Sequence, residues 1–350
     1  MQFSSSYTIA THCAAFKQHQ CGNCGYANLL LSQQQEAQYT QLIRFLQLPS
    51  DIPIQWIDSP NPTNYRYRIT LHPNKEGVLG YHKVQSHDHI PIDACTIAHE
   101  SINTALQSLG PIPFACKGVE FRSNGKQVLA NILSEKGKRP TKAHIETWAS
   151  KGLSGAGLDG NPMWGTQRTT ITIADIEHQF SLGSFFQVNI PCNELLVQTI
   201  LTWTLEHHPT QVLDLYCGAG NIGAAIAKKG IPVVGIDSAK SSITDAKNTI
   251  KRHNLPMEVR VADADKFQAG DAFFHVAIMD PPRKGAKGVI KELRLTNPKA
   301  IMYVSCNPNA LRSDLFEAKK LGYVPHRVCF FDFFPHTEHV ETLVELRKAH

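Results

Sequence analysis

The sequence predicts an α/β domain with a mostly parallel, doubly wound sheet over residues 184–350, joined to a β-rich central domain over 51–183 and a cysteine-rich N-terminal segment over 1–50. Three observations carry this division. Beyond Ser184 short apolar runs alternate with amphipathic stretches, the pattern of strands joined by crossover helices. Between about residues 55 and 180 short runs punctuated by Asn-Gly and Pro dominate, and Cys13, Cys21 and Cys24 crowd into a polar stretch with little periodicity.

A length of 350 residues suits two or three such units. Hydrophobic content of 42% with 19% charged residues is that of a globular chain, and no stretch approaches the roughly 18 apolar residues of a membrane helix. Met1-Gln2-Phe3-Ser4-Ser5-Ser6-Tyr7 lacks the basic and apolar regions of a secretory signal, so a cytoplasmic location with nine reduced cysteines is expected. The net charge of +5 favours a polyanionic partner mildly, there being no long Lys/Arg run. No membrane and no obligate protein partner is expected.

In chain order, Cys13, Cys21 and Cys24 form Cys-x7-Cys-x2-Cys, and Cys95 is the natural distant fourth thiol. In a reducing compartment such a quartet argues for metal, with zinc and an iron–sulfur cluster both compatible with the spacing. Gln33 to Leu46 reads as a helix capped by Ser32, followed by a linker punctuated by Pro49, Pro53, Pro60 and Pro62. Asn64 to Leu71 alternates, the pattern of a half-exposed strand whose Arg66, Tyr67 and Arg68 face either RNA or water. Gly77 to His82 is a second strand. The runs 119–122 and 128–133 flank Asn124-Gly125 and form a hairpin, and 169–173 adds another strand.

The α/β part then runs helix 193–207, strand 211–216, helix 221–229, strand 232–236, helix 239–253, strands 257–261, 274–279 and 299–304, and helix 308–320. Two closing runs, 328–334 and 340–346, predict an antiparallel hairpin at the sheet edge.

Three strand ends carry chemistry. Gly218-x-Gly220-x-x-Gly223 follows the first strand and Asp237 ends the second, the arrangement that holds a nucleotide with its ribose diol on the acid. Asp214 would repel a pyrophosphate but suits the cationic methionine ammonium of S-adenosylmethionine. Asp280-Pro281-Pro282-Arg283 sets a carboxylate and a rigid turn over the same crevice. Cys306 ends the strand 299–304 region just before Asn307-Pro308 opens a helix, whose N-terminus would favour a nucleophilic thiolate.

With Ser184-Phe185-Phe186-Gln187-Val188-Asn189, Asp214 to Asn221, Asp280 to Gly285, Ser305-Cys306-Asn307-Pro308, Phe334-Pro335-His336-Thr337-x-His339-Val340-Glu341 and the four cysteines in order, the chain resembles the RNA uracil-C5 methyltransferases. The resemblance is strongest to the iron–sulfur 23S rRNA branch, RlmC- and RlmD-like. It implies a class I S-adenosylmethionine-dependent methyltransferase fold, Cys306 as nucleophile and Glu341 as general base. It also implies a pocket for cofactor and target base lined by Gln187, Tyr216, Asn221, Asp237 and Asp280, with Asp214, Gly218 and Gly220 in the cofactor loop, and a [4Fe–4S] cluster on Cys13, Cys21, Cys24 and Cys95. The implied substrate is RNA, 23S rRNA ahead of tRNA.

Two departures stand out. Asp237 occupies a position where the family usually has glutamate, and Arg66-Tyr67-Arg68 replaces Arg-Asn-Lys, so the resemblance assigns Tyr67 no RNA contact. No TRAM-type barrel precedes the cysteines, from which an RlmC-like substrate is expected. Two rivals are weighed: an exocyclic-amine methyltransferase, for which an aromatic residue is expected where Arg283 stands, and a non-catalytic iron–sulfur RNA-binding protein, which would not need Cys306 and Glu341.

Overall fold

The computed structural model describes residues 8–19, 21–83, 86, 88–267 and 273–349. Its larger sheet has eight strands in the spatial order Ile54–Ile57, Tyr323–Phe331, Glu341–Lys348, Ala300–Ser305, Val276–Met279, Val212–Leu215, Val233–Asp237 and Met257–Val261. All pairs are parallel except those made by Glu341–Lys348, which runs antiparallel to both neighbours. The strand order reverses between Val212–Leu215 and Val276–Met279, and a crevice at the carboxyl ends of such a pair is where open α/β sheets bind ligands.

The alternation of strands and helices is as expected, with boundaries moved by a few residues, and three features differ. Lys287–Thr296 is a helix in the crossover that the sequence reading left unassigned; its Val289, Ile290 and Leu293 recur at helical spacing and are buried. The terminal hairpin does not form the sheet edge. Ile54–Ile57, from the proline-punctuated linker, pairs alongside it from Ile54–Val328 to Ile57–Phe331, covering backbone groups that would otherwise template foreign strands. The N-terminal helix Leu31–Leu46 starts before Ser32: Leu30 is the N-cap and Gln33 Oε1 accepts its N–H at 3.1 Å. Leu42 and Leu46 of this helix join the core under the large sheet, so residues from the first 57 pack with the α/β domain.

The central region forms a seven-stranded sheet containing the expected hairpin, Gly118–Ser123 with Val128–Leu133. Asn124 Oδ1 accepts the N–H groups of Lys126 and Gln127, and Gly125 has φ of 89°, which completes the Asn-Gly turn. The region is mostly β, as expected, and also contains two helices that the sequence did not suggest, Glu100–Leu109 and Lys142–Ala149. Their Ile102, Ala105, Leu106, Ile145 and Trp148 build a separate core with Leu71 and Phe121. Tyr65, expected on a half-exposed strand, is fully buried, and its hydroxyl donates to Pro335 O at 3.0 Å. No helix among the described residues is long and apolar enough to cross a membrane.

Candidate active site

The loop Tyr216–Gly220 leaves the first central strand with three residues at positive φ: Tyr216 at 61°, Gly218 at 54° and Gly220 at 81°. Over Gly218 no atom lies within 4 Å of where a Cβ would sit, leaving room for a ligand to approach the backbone. Gly223 serves packing instead. A Cβ there would meet Asp214 Oδ2 and Met257 Cε, each at 2.7 Å. Gly223→Ala is therefore expected to push helix Asn221–Ala227 off the sheet at a cost of about 1–3 kcal/mol, read as a lowered denaturation midpoint. An unchanged midpoint would show that the helix has slack.

Asp237 Oδ2 accepts the Gly218 N–H at 2.9 Å and Oδ1 accepts that of Ala239 at 2.7 Å, so the acid shapes the loop it faces. Tyr216 donates to Asp265 Oδ1 at 2.7 Å, and Lys284 binds the other oxygen at 2.7 Å, linking the glycine loop to the Asp280–Gly285 turn. Gln187 is presented by a buried brace. Arg122 donates to Ser181 O at 2.9 Å and to Ser184 O at 2.5 Å, while Asp245 accepts from the hydroxyls of both serines. Gln187 Nε2 then donates to Asp280 Oδ2 at 3.2 Å.

These groups meet in one cavity of about 740 Å³, whose wall contains Gln187, Tyr216, Gly218, Asn221, Asp237, Asp280, Cys306 and Glu341. Two expected cofactor residues are not in that wall. Gly220 lies behind it, and Asp214 is buried under the loop with Oδ2 accepting the Gly223 N–H at 3.0 Å. Burial, reinforced by Asp280 and Asp237, raises the Asp214 carboxyl to about 8. It braces the start of the helix that follows the loop.

The thiol differs from expectation in a second way. Burial, with Glu341 and Asp280 adding to it, raises Cys306 to about 11, and only the Arg283 guanidinium, hydrogen-bonded to it, pulls the other way. Asn307, the next residue, is the N-cap of the helix, and its Oδ1 takes the Asn309 N–H at 3.1 Å. Asn307 Nδ2 also donates to Arg283 O at 2.8 Å, tying the nucleophile's loop to the diproline turn. Since the thiolate is the reactive form, alkylation at Cys306 is expected to rise about tenfold per pH unit with no plateau below pH 10, and to slow at each pH in Arg283→Met. A plateau near pH 7, measured by peptide mass spectrometry, would mean that the thiol is already ionised.

Glu341 is buried, Oε1 has no hydrogen-bond partner among the described residues, and burial together with Asp280 holds its carboxyl well above the usual range. Asp280 is itself raised to about 6 by burial. A buried carboxyl with one oxygen free of hydrogen bonds among the described residues, in the same cavity as a thiol and a glycine loop, can move a proton at an atom held between them.

The sequence reading gave no role to Arg283 beyond its being non-aromatic, nor to Phe185. Phe185 is 52% exposed at the cavity wall with the Arg68 guanidinium 4.4 Å from its ring centroid, an arrangement suited to stacking a base. The paired aromatics Phe185-Phe186 after Ser184 were the available signal, and only the structure shows which of the two is exposed. Tyr67 is absent from the wall and stacks on His99 at 4.3 Å.

Cys13, Cys21, Cys24 and Cys95 line a second, apolar cavity with Ile9, Phe16, Ile92 and Ile97, and none is in a disulfide. Burial raises Cys21, Cys95 and, to about 12, Cys24, and each is raised further by other thiols of the set. Among the described residues no three His, Cys, Asp or Glu side chains gather as a site for one metal ion.

Residues 166–349 match the family described as tRNA (Uracil-5-)-methyltransferase. The chain is 27% identical to a 23S rRNA (uracil(1939)-C(5))-methyltransferase RlmD of Dichelobacter nodosus, over 81% of this chain and 70% of the relative. It is 28% identical to the RlmD of Haemophilus influenzae, over 97% and 82%. A crystal structure of the Pyrococcus abyssi tRNA (uracil-54, C5)-methyltransferase in complex with S-adenosyl-L-homocysteine superposes with a TM-score of 0.78 at 25% identity, covering 93% of this chain and 84% of that one.

Proposed function

We propose, for a chain that belongs to the tRNA (Uracil-5-)-methyltransferase family, that it methylates C5 of a uridine in 23S rRNA with S-adenosylmethionine as donor. The observation that carries this reading is the meeting of Cys306, Glu341, Asp280, Asp237 and the open face of Gly218 in a single cavity. The relatives bearing a 23S rRNA name support the substrate, and they are RlmD proteins, whereas the sequence alone favoured an RlmC-like one.

S-adenosylmethionine supplies an electrophilic methyl group. In this chain Asp237 suits its ribose diol, and Gly218 lets its body approach the loop. Uracil C5 is a poor nucleophile, so Cys306 adds as thiolate to C6, with Arg283 offsetting the negative charge beside it. The electron pair displaced from the C5–C6 bond is shared between C5 and the C4 oxygen, and C5 takes the methyl group as the sulfonium S–CH3 bond breaks and the neutral thioether, S-adenosylhomocysteine, leaves. Glu341 then removes the C5 proton, the C5–C6 double bond re-forms, and the Cys306 sulfur leaves. The target must be turned out of its stack to reach the thiol, and Phe185 with Arg68 offers a platform for a displaced base.

The N-terminal quartet fits a [4Fe–4S] cluster. What supports this is that the four thiols share an apolar cavity with no carboxylate or imidazole in its wall, an all-thiolate donor set. Bound there, the cluster would draw protons off thiols that burial otherwise keeps neutral. The deciding experiment on substrate is mapping 5-methyluridine in total RNA from cells lacking the gene. Loss from 23S rRNA with tRNA intact is expected, and loss from tRNA alone would replace the substrate.

A further inference from the structure

The loop between the last two strands, residues 332–340, is held by side chains and backbone far before it in the chain. Tyr65 donates to Pro335 O at 3.0 Å, Asn189 Nδ2 to Phe333 O at 3.0 Å, Tyr26 N–H to His336 O at 3.0 Å, and Gln38 Nε2 to Thr337 O at 3.0 Å. At its centre His336 is fully buried with φ of 70°, a conformation a non-glycine residue keeps only when its surroundings impose it. Gln34 imposes it. Its Oε1 accepts the His336 N–H at 3.0 Å, and its Nε2 lies 3.2 Å from His336 Nδ1 while donating to Leu29 O at 2.8 Å and Tyr26 O at 3.1 Å.

This loop delivers Phe334, His339 and Glu341 to the catalytic cavity, and Glu341 is the first residue of the strand that follows it. Glu341 is buried, its Oε1 has no hydrogen bond among the described residues, and so its aim depends strongly on the backbone that carries it. The amide of Gln34 also reaches Tyr26, two residues after Cys24, so one side chain joins the cysteine segment to the segment that aims the carboxyl.

We infer that Gln34 is a positioning residue for the proton-abstraction half of the reaction, holding the His336 turn so that Glu341 faces C5. This rests on the reading of Glu341 as base. Losing Gln34 frees the turn, and the step that suffers is the one Glu341 performs after methyl transfer; the addition by Cys306, which follows a different strand, Ala300–Ser305, is spared.

The test is a rapid-quench time course of substrate RNA with labelled S-adenosylmethionine on wild type, Gln34→Ala, Leu42→Ala and Glu341→Gln. Leu42 is a buried core residue of the same helix and controls for loss of stability alone. In Gln34→Ala the methylated protein–RNA adduct is expected to accumulate and decay at least about tenfold more slowly than in wild type, with methyl transfer changed less than about twofold and faster amide exchange across 333–339. Leu42→Ala should show no adduct. Should Gln34→Ala not fold, Gln38→Ala, which removes only the bond to Thr337 O, reads the same decay. Decay at the wild-type rate in the variant that folds, equal slowing of both steps, or the same adduct in Leu42→Ala overturns the inference. Absence of an adduct in Glu341→Gln would instead remove the base assignment on which it stands.

Discussion

Cys306→Ala is expected to form no covalent adduct with RNA and no methylated product, whereas Glu341→Gln should methylate and then stall as an adduct that survives denaturing electrophoresis. The asymmetry follows from the order of steps. The thiolate acts first, so its loss removes every later event; the carboxylate acts last, so its amide isostere leaves addition and transfer intact. The release step should slow by about 10²–10⁴-fold, the usual worth of a positioned base. Wild-type protein with 5-fluorouridine RNA should give the same band, because fluorine at C5 cannot leave as a proton. Glu338, three residues away, is the control: Glu338→Gln should turn over nearly normally. Trapping by Glu338→Gln with free turnover of Glu341→Gln would move the base, and no adduct from any of these would end covalent catalysis. The pH dependence has one sign. Cys306 and Glu341 both act deprotonated and both are raised by burial, so turnover should climb from pH 6 towards pH 9.

The second large effect concerns the N-terminal thiols. Protein purified anaerobically should be brown, carry iron and sulfide in equal amounts, and lose both in Cys24→Ala. Because Cys24 stands beside the Tyr26–Gln34–His336 contacts, loss of the cluster should also loosen the catalytic loop, seen as faster amide exchange at 333–339. Stoichiometric zinc without sulfide would reassign the site, and a colourless, metal-free protein with full activity would remove the cluster from the protein.

What the sequence by itself determined is the set of local patterns: the glycine loop, the acid closing the second strand, the diproline turn, the thiol before Asn-Pro and the clustered cysteines. Each depends on a few neighbouring residues whose backbone preferences are short-range, and the rule that ligands gather at the carboxyl ends of parallel strands brought most of them to one crevice. Tertiary structure decided the rest, because burial and pairing are properties of residues far apart in the chain. It set Asp214 under the loop, left Glu341 Oε1 unpartnered, and turned Arg283 to the thiol that burial, Glu341 and Asp280 raise to about 11. It closed the sheet edge with Ile54–Ile57 and clasped Gln34 to His336, 302 positions away. No periodicity records such a contact: a buried glutamine on a helix reads in sequence as a solvated one, and only the partner brought to it by folding makes its burial tolerable.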